Sequence, residues 1–245
     1  MLLRPKLDAA FALRVRAAAP DLVVSWFWTN RLPMTLVDLA TYGGIGAHPS
    51  LLPRHRGPDP TCHAILEGDR TSGVTVHRIA AEYDTGAILA RAELTIDDRW
   101  NAYDLAKALD RPSLRLLREV VRSFARGEPP VELAQDEGAA TLAPFPEEDD
   151  LWLVWDRPTA DVVRQVRALA PAPGAVTEIG DSVVTVLEVL PLAATPTVLE
   201  TPGESAFLDG RCVIRTRDGA VALSKFDVEG QPATSDDLRT LLHGS

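Results

Sequence analysis

The sequence predicts an α/β domain, with a mostly parallel sheet and flanking helices, followed by a small β-barrel. Three observations predict it. Short apolar, β-rich runs alternate with helical patterns through the first 130 residues. Residues 127–150 then turn rich in Pro, Gly and acidic side chains. Beyond them, short strand-like runs separated by turn residues follow a single helix. The expected division is an α/β domain at 1–130, a surface linker at 131–150 and an OB-like barrel at 151–245.

Each element has its own signal. Leu7, Phe11, Leu13, Val15 and Ala18 recur at helical spacing and predict a helix over 7–18. Residues 21–27 form an apolar, β-branched run that reads as a buried strand, with Trp26, Phe27 and Trp28 as core and pocket wall. Arg31-Leu32-Pro33 makes a loop, residues 35–39 a short helix, and residues 45–48 the next strand. Pro58 or Asp59 caps a helix that passes through Ala64-Ile65-Leu66 and stops at Gly68. Residues 73–79 and 88–96 read as strands. The longest helical pattern covers 101–126, with Leu105, Leu109, Leu114, Leu117, Val121 and Phe124 on its inner side. This order implies a parallel sheet with crossovers, becoming mixed near residues 79–96. In the second half, Pro158 opens a helix ending at Leu169, and strands follow at 175–179, 183–189, 212–215 and 220–225.

Charge narrows the function. The formal net charge is −10. Residues 1–140 are nearly balanced, with 17 basic and 18 acidic side chains, whereas residues 141–245 hold 8 against 17. A nucleic-acid surface needs the opposite sign, so no nucleic-acid partner is expected. Cys62 and Cys212 lack metal-ligand spacing and read as small apolar residues in a reducing compartment. The start, Met1-Leu2-Leu3-Arg4-Pro5-Lys6, has no long apolar stretch, and no run is apolar enough to span a bilayer. The expectation is a cytoplasmic protein with no membrane partner and no metal.

The most informative stretch is 44–89. It opens with His48-Pro49-Ser50-Leu51-Leu52-Pro53-Arg54-His55-Arg56-Gly57 and closes with Glu82-Tyr83-Asp84-Thr85-Gly86. One part puts a titratable ring at a strand end before a Pro-bracketed loop. The other puts a carboxylate in a tight turn. Brought together at strand ends, His48 and Asp84 make a proton-handling pair. Each also has a structural reading: a strand-end histidine, and an Asx-turn carboxylate before Thr-Gly. His55, His63 and His77 read as a surface loop residue, a helix residue and a strand residue, none with metal spacing. Arg56 fixes its loop or receives a carboxylate, and Asn30 is a possible hydrogen-bond donor beside the site.

These segments resemble the formyltransferases that use 10-formyltetrahydrofolate. The strand Asp21-Leu22-Val23-Val24 with Arg31-Leu32-Pro33 resembles the wall of their pterin pocket; His48 to Pro53 with Arg56-Gly57 resembles their signature; Asp84-Thr85-Gly86 resembles the loop of their aspartate. Trp155, Pro158, Arg167-Ala168, the run Pro171 to Ala175 and Glu229-Gly230 resemble the barrel appended to some members. The resemblance implies His48 and Asp84 as catalytic residues. It places Trp28, Arg31, Leu32, Pro33 and Tyr83 at the cofactor, and Gly46, Ser50, Arg56 and Asn30 at the loop and substrate. It implies 10-formyltetrahydrofolate as cofactor and transfer of a formyl group to a small or carrier-linked amine in specialised metabolism.

Three departures accompany it. Gly46 stands where the family has an asparagine that steadies the formyl oxygen; losing such a donor costs about 2.7–4 kcal/mol of transition-state stabilisation in another enzyme. Thr29 stands where many members have glycine. Only about 20 residues precede the strand at 21–27, so the sheet is expected to lack its first half. That strand then becomes an apolar edge, expected to be covered partly by the first helix and partly by a second copy in a homodimer. A folate-independent acid–base enzyme (hydrolysis, cyclisation or acyl transfer) and a non-catalytic binding partner are the alternative readings.

Overall fold

The structure is a computed structural model that describes residues 6–243 apart from Phe27 and Thr29. The expectations for those two positions and for residues 1–5 lie outside the described residues. Contacts divide the chain into two compact units: residues 1–60, 70–96 and 106–144, and residues 61–69, 97–105 and 145–245.

The first unit is built on a four-stranded sheet. Helix α1 (Ala9–Ala18) precedes β1 (Val23–Ser25), α2 (Met34–Val37) and β2 (Gly44–His48). α3 (Pro60–Leu66) follows in the chain but from Thr61 on belongs to the second unit; then come β3 (Thr71–Arg78), β4 (Ile88–Thr95) and α4 (Ala102–Ala125), which lies in the first unit from Ala106 on. The strand order is β1-β2-β3-β4. The α/β class stands, with one correction of balance: among the described strands of this sheet β1 and β2 pair in parallel, and β3 runs antiparallel to both β2 and β4. Residues 49–70 return the chain to the end where β2 finished, so β3 runs against it. Ile45, Val74 and Val76 are fully buried. A Cβ on Gly44 would lie 2.9 Å from both Val37 and Ile79, so a glycine is needed where α2 meets β2.

Two packing expectations change. α1 is capped by the Asp8 carboxylate, which accepts from the Phe11 N–H at 2.9 Å, yet it buries none of its residues and leaves Leu13 67% exposed. The expected cover over β1 is therefore not seen among the described residues, and Val24 stays 45% exposed on this edge strand. In α4 the buried stripe runs Leu105, Leu109, Ser113, Leu116, Leu117, Val120, Phe124, while Leu114 is exposed. Leu114 is five residues past Leu109, outside the i+3/i+4 spacing that keeps one helix face inward.

Most of residues 131–144 are exposed, Ala143 being buried, and the segment is tied down. Leu133 exchanges both backbone hydrogen bonds with Ile88, and Arg56 donates to Thr141 O while Ala143 donates to Arg56 O.

The second unit holds α5 (Glu148–Leu151), α6 (Thr159–Leu169) and a barrel-like antiparallel sheet. Its strands are β5 (Ala175–Ile179), β6 (Ser182–Pro191), β7 (Ser205–Leu208), β8 (Arg211–Arg215), β9 (Ala220–Val228) and β10 (Gln231–Pro232). The order is β5-β6-β9-β8-β7, with β10 on β9. The closing helix α7 (Ser235–His243) packs against β5, β7 and β8, so it covers the two ends of that path. Leu199, Val213, Ala220 and Ala222 form its inner cluster, with Leu192, Ala206 and Leu208 against it.

Candidate active site

Alternation along β2 and β3 builds the site. Successive strand side chains point to opposite faces, so Gly46 and His48 share one face of β2. The antiparallel register sets His77 opposite Gly46 and Thr75 opposite His48. β1 adds Ser25 beside Gly46. One face therefore carries Ser25, Gly46 and His77 in a row, with His48 and Thr75 in the next. The pairing of β3 with β4 shifts register between Val76 and His77, an irregularity of the kind that re-aims a side chain.

The structure brings His48 and Asp84 together: Nδ1 of His48 lies 3.5 Å from Oδ2 of Asp84. His77 joins them, with Nε2 at 3.6 Å from Oδ1 of the same carboxylate. The sequence predicts His77 as an ordinary strand residue; the cross-strand register is the signal that places it here. His55, expected at the surface, is buried, and its carbonyl accepts from His48 Nε2 at 2.7 Å. A carbonyl oxygen only accepts, so that hydrogen bond puts the His48 proton on Nε2 and leaves Nδ1 as a lone pair. By the same rule His77 donates from Nδ1 to Arg78 O at 2.8 Å and presents its Nε2 lone pair. The fixed tautomer of His48 thus comes from His55, not from Asp84. Burial pushes both imidazoles below their ordinary pKa, only partly offset by the Asp84 charge, and His48 lowers His77 further.

Asp84 is held by its surroundings. Its φ of 56° lies in the left-handed region, which aspartate tolerates better than most side chains. The Gly57 N–H donates to Oδ2 at 2.9 Å, and Gln135 Nε2 donates to the carbonyls of Asp84 and Gly86 at 2.7 Å each. A Cβ on Gly86 would lie 1.9 Å from Arg78 O, so only glycine lets this turn approach β3 so closely.

The remaining candidates separate into two groups. Ser50 and Arg56 hold the loop. Ser50 donates to Arg54 O at 2.6 Å, and its own carbonyl accepts from Thr75 Oγ1 at 2.7 Å. Arg56 donates to both Glu137 carboxylate oxygens, at 2.8 and 2.7 Å, and twice to Gln135 Oε1. Glu137 raises the Arg56 pKa, and Arg56 lowers that of Glu137. Of the two readings for Arg56, its hydrogen bonds are those of loop fixing.

The second group lines the loops beside the pair. Arg31 donates to the Ala81 carbonyl and to Glu82 Oε1, drawing residues 30–33 toward the loop of Asp84. Trp28, Asn30, Pro33 and Tyr83 are exposed, and Leu32 is half-buried. Trp26 is 40% exposed rather than core, its indole N–H donating to Ser113 Oγ at 3.1 Å. Among the described residues no cluster of His, Cys, Asp or Glu has the arrangement of a metal site. Nor is any helix long and apolar enough to cross a membrane.

Comparison with known proteins gives the family. Residues 3–121 match the family model described as formyl transferase, and residues 147–237 match the formyl transferase C-terminal domain. The chain is 34% identical over 230 residues to a methionyl-tRNA formyltransferase of Anaeromyxobacter dehalogenans, covering 93% of this chain and 73% of that protein. Among solved structures it resembles HypX from Aquifex aeolicus in complex with tetrahydrofolic acid, with a TM-score of 0.72 and 24% identity. That match covers 95% of this chain but spans 42% of the HypX chain. It also resembles the N-formyltransferase from Helicobacter canadensis in complex with folinic acid and dTDP-3-aminofucose, with a TM-score of 0.66, 16% identity, and coverage of 88% and 77%. At these identities the two structures speak for the fold alone. The two domain matches and the curated relative together show that the chain belongs to the formyl transferase family.

Proposed function

We propose that the protein transfers a formyl group from 10-formyltetrahydrofolate to a small or carrier-linked amine. The observation that supports it most is a His48 Nδ1 lone pair facing Asp84 Oδ2 at 3.5 Å, in a histidine whose other nitrogen is tied to His55. The surroundings fit a flat heterocycle with polar edges. Trp28 and Tyr83 expose aromatic faces, Leu32 and Pro33 add apolar surface, and Arg31 pulls the two loops together. Those residues would hold the folate, with Asn30 next to Arg31 in the same loop and Gly46 between Ser25 and His77 on the sheet.

When bound, 10-formyltetrahydrofolate supplies the formyl carbon already activated on a nitrogen leaving group. In the balance of the transfer, the acceptor nitrogen gives up one proton and the departing nitrogen gains one. In this reading His48 Nδ1 takes that proton: it is the ring nitrogen left with a lone pair, and burial favours the neutral ring by lowering its pKa. Asp84 then faces the imidazolium and stabilises it, while Gly57 and Gln135 keep the carboxylate and its turn from moving.

A second reading, with tRNA as the acceptor, is favoured by the name of the relative above. The charge of residues 141–245, 17 acidic against 8 basic, favours the small amine, since it repels a polyanion and attracts an ammonium. The test incubates the protein with 10-formyltetrahydrofolate and either a panel of small amines or charged tRNA. Formylated product is followed by mass spectrometry, and folate binding by the fluorescence of Trp26 and Trp28. Formylated small amine supports the proposal. Formylated tRNA alone replaces its acceptor. Absence of folate binding and of product with every acceptor overturns it.

A further inference from the structure

A neutral imidazole has one N–H and one lone pair. His48 spends its N–H on His55 O at 2.7 Å, and His77 spends its own on Arg78 O at 2.8 Å. The two nitrogens left over both face Asp84, at 3.5 and 3.6 Å, and the carboxylate also offers only lone pairs. Three acceptors thus converge in a buried site, and the Gly57 N–H serves one oxygen. The separations exceed the roughly 2.7–2.9 Å of a charge-assisted N–H···O bond, as expected with no proton between the partners. One added proton converts a lone-pair contact into such a bond. A second would place two imidazoliums with ring centroids 6.4 Å apart in a buried site. The cluster has room for one.

We propose that His48, Asp84 and His77 share a single proton, and that His77 is a positioning residue acting through Asp84 to set how much of that proton resides on His48. The idea deepens the formyl-transfer reading and rests on it for its catalytic consequence. Two imidazoles that face one carboxylate titrate as a coupled group, so the second ring shifts the proton occupancy of the first, and with it the strength of the base. Gly46 lies against the same ring: a Cβ there would sit at van der Waals distance, 3.4 Å, from His77 Nε2. The groups that bear on His77 are Asp84, His48 and Arg56; those that bear on His48 are Asp84 and His55.

The test is imidazole 15N NMR of the whole protein, without folate, titrated between about pH 5 and 8. Five histidines keep the spectrum assignable. His48 is expected as the Nε2–H tautomer and His77 as Nδ1–H, with both rings titrating together and each reaching only part of full protonation in that step. In His77→Asn the amide keeps a donor for Arg78 O and removes Nε2; His48 then reaches full protonation. Should that variant not fold, Asp84→Asn gives the second reading, with the two rings titrating independently. Activity adds a further arm: His77→Asn lowers kcat about 10- to 100-fold and moves the acid limb of its pH profile, with KM values within about twofold. Full, independent titration of both rings in the unaltered protein overturns the proposal. So does a His48 curve unchanged by His77→Asn, whatever the activity. Coupled titration in a protein that formylates nothing overturns the functional reading and leaves the shared proton standing.

Discussion

The backbone N–H of Gly57 donates to Oδ2 of Asp84 at 2.9 Å, the same oxygen that faces His48 Nδ1. The loop that leaves His48 therefore returns, nine residues on, to hold the carboxylate that His48 faces. Gly57 has a φ of 117°, a region that side chains avoid, and a Cβ there would lie 2.9 Å from Ala143 O. Gly57→Ala is expected to destabilise by roughly 1–3 kcal/mol and to lower kcat more than KM. Urea denaturation and steady-state kinetics measure the two effects separately.

The His48 hydrogen bond to His55 separates structure from chemistry. In His48→Gln, the amide nitrogen reaches toward the position of Nε2 and keeps a donor for His55 O, while the Nδ1 lone pair is lost. The variant is expected to fold with near-normal stability and to lose about 10²- to 10⁴-fold in kcat. His48→Ala removes both functions and is expected to lose stability as well. Equal activity of His48→Gln and the unaltered protein would remove His48 from the chemistry.

Much of this was legible in the chain itself. His48 and Asp84 stood out because a Pro-bracketed loop follows one and a Thr-Gly turn the other, and both features are local. The strand at 175–179 was readable to the residue because its apolar run is bounded by Gly174 and Gly180. What escaped depends on partners distant in sequence. His77 belongs to the site only because β3 runs antiparallel to β2 and sets it across from Gly46, and the expected parallel order hid that register. His55 looked like a solvated loop residue, and its burial comes from the return of residues 141–143. β7 is four residues long, too short to show a period, and the apolar pattern of α7 is confined to Leu238, Leu241 and Leu242; both pack where they close the barrel-like sheet.

Arg56 ties the site loop to residues 135 and 137, and its planar fork meets two oxygens of Glu137 and one of Gln135 at once. A lysine ammonium cannot reproduce that geometry. Arg56→Lys is therefore expected to behave nearly as badly as Arg56→Ala. Both should speed hydrogen exchange at the amides of Leu133 and Ala143, which pair with Ile88 and Arg56. Loss of Gln135 from the carbonyls of Asp84 and Gly86 should follow, seen as a lower kcat without loss of folate binding.

Among the described residues β1 pairs with β2 alone, which leaves it an edge strand, with Val24 45% exposed and Trp26 40% exposed just beyond its end. An unpaired apolar edge of this kind is a template for association. The protein is expected to self-associate at micromolar concentration, and Val24→Lys to shift it toward monomer without changing the site. Light scattering across a dilution series reads both, and a monomer at every concentration would show that the edge remains solvated.

The two buried imidazoles fix the sign of the pH dependence of stability. Both have folded-state pKa values below the ordinary 6.5, chiefly through burial. An unfolded chain, with its histidines in water, binds protons first as the pH falls through 6.5. Below that point the unfolded state holds more protons than the folded one, so stability falls with falling pH until the folded rings also protonate. Above it the two states bind equally and the histidine contribution is flat. Urea midpoints measured across this range should decline on the acid side and level off toward neutrality. The combined His48→Gln and His77→Asn variant should show a shallower decline, because the groups that discriminate between the states are gone. An acid-side slope identical in both proteins would place the pH sensitivity on carboxylates elsewhere in the fold.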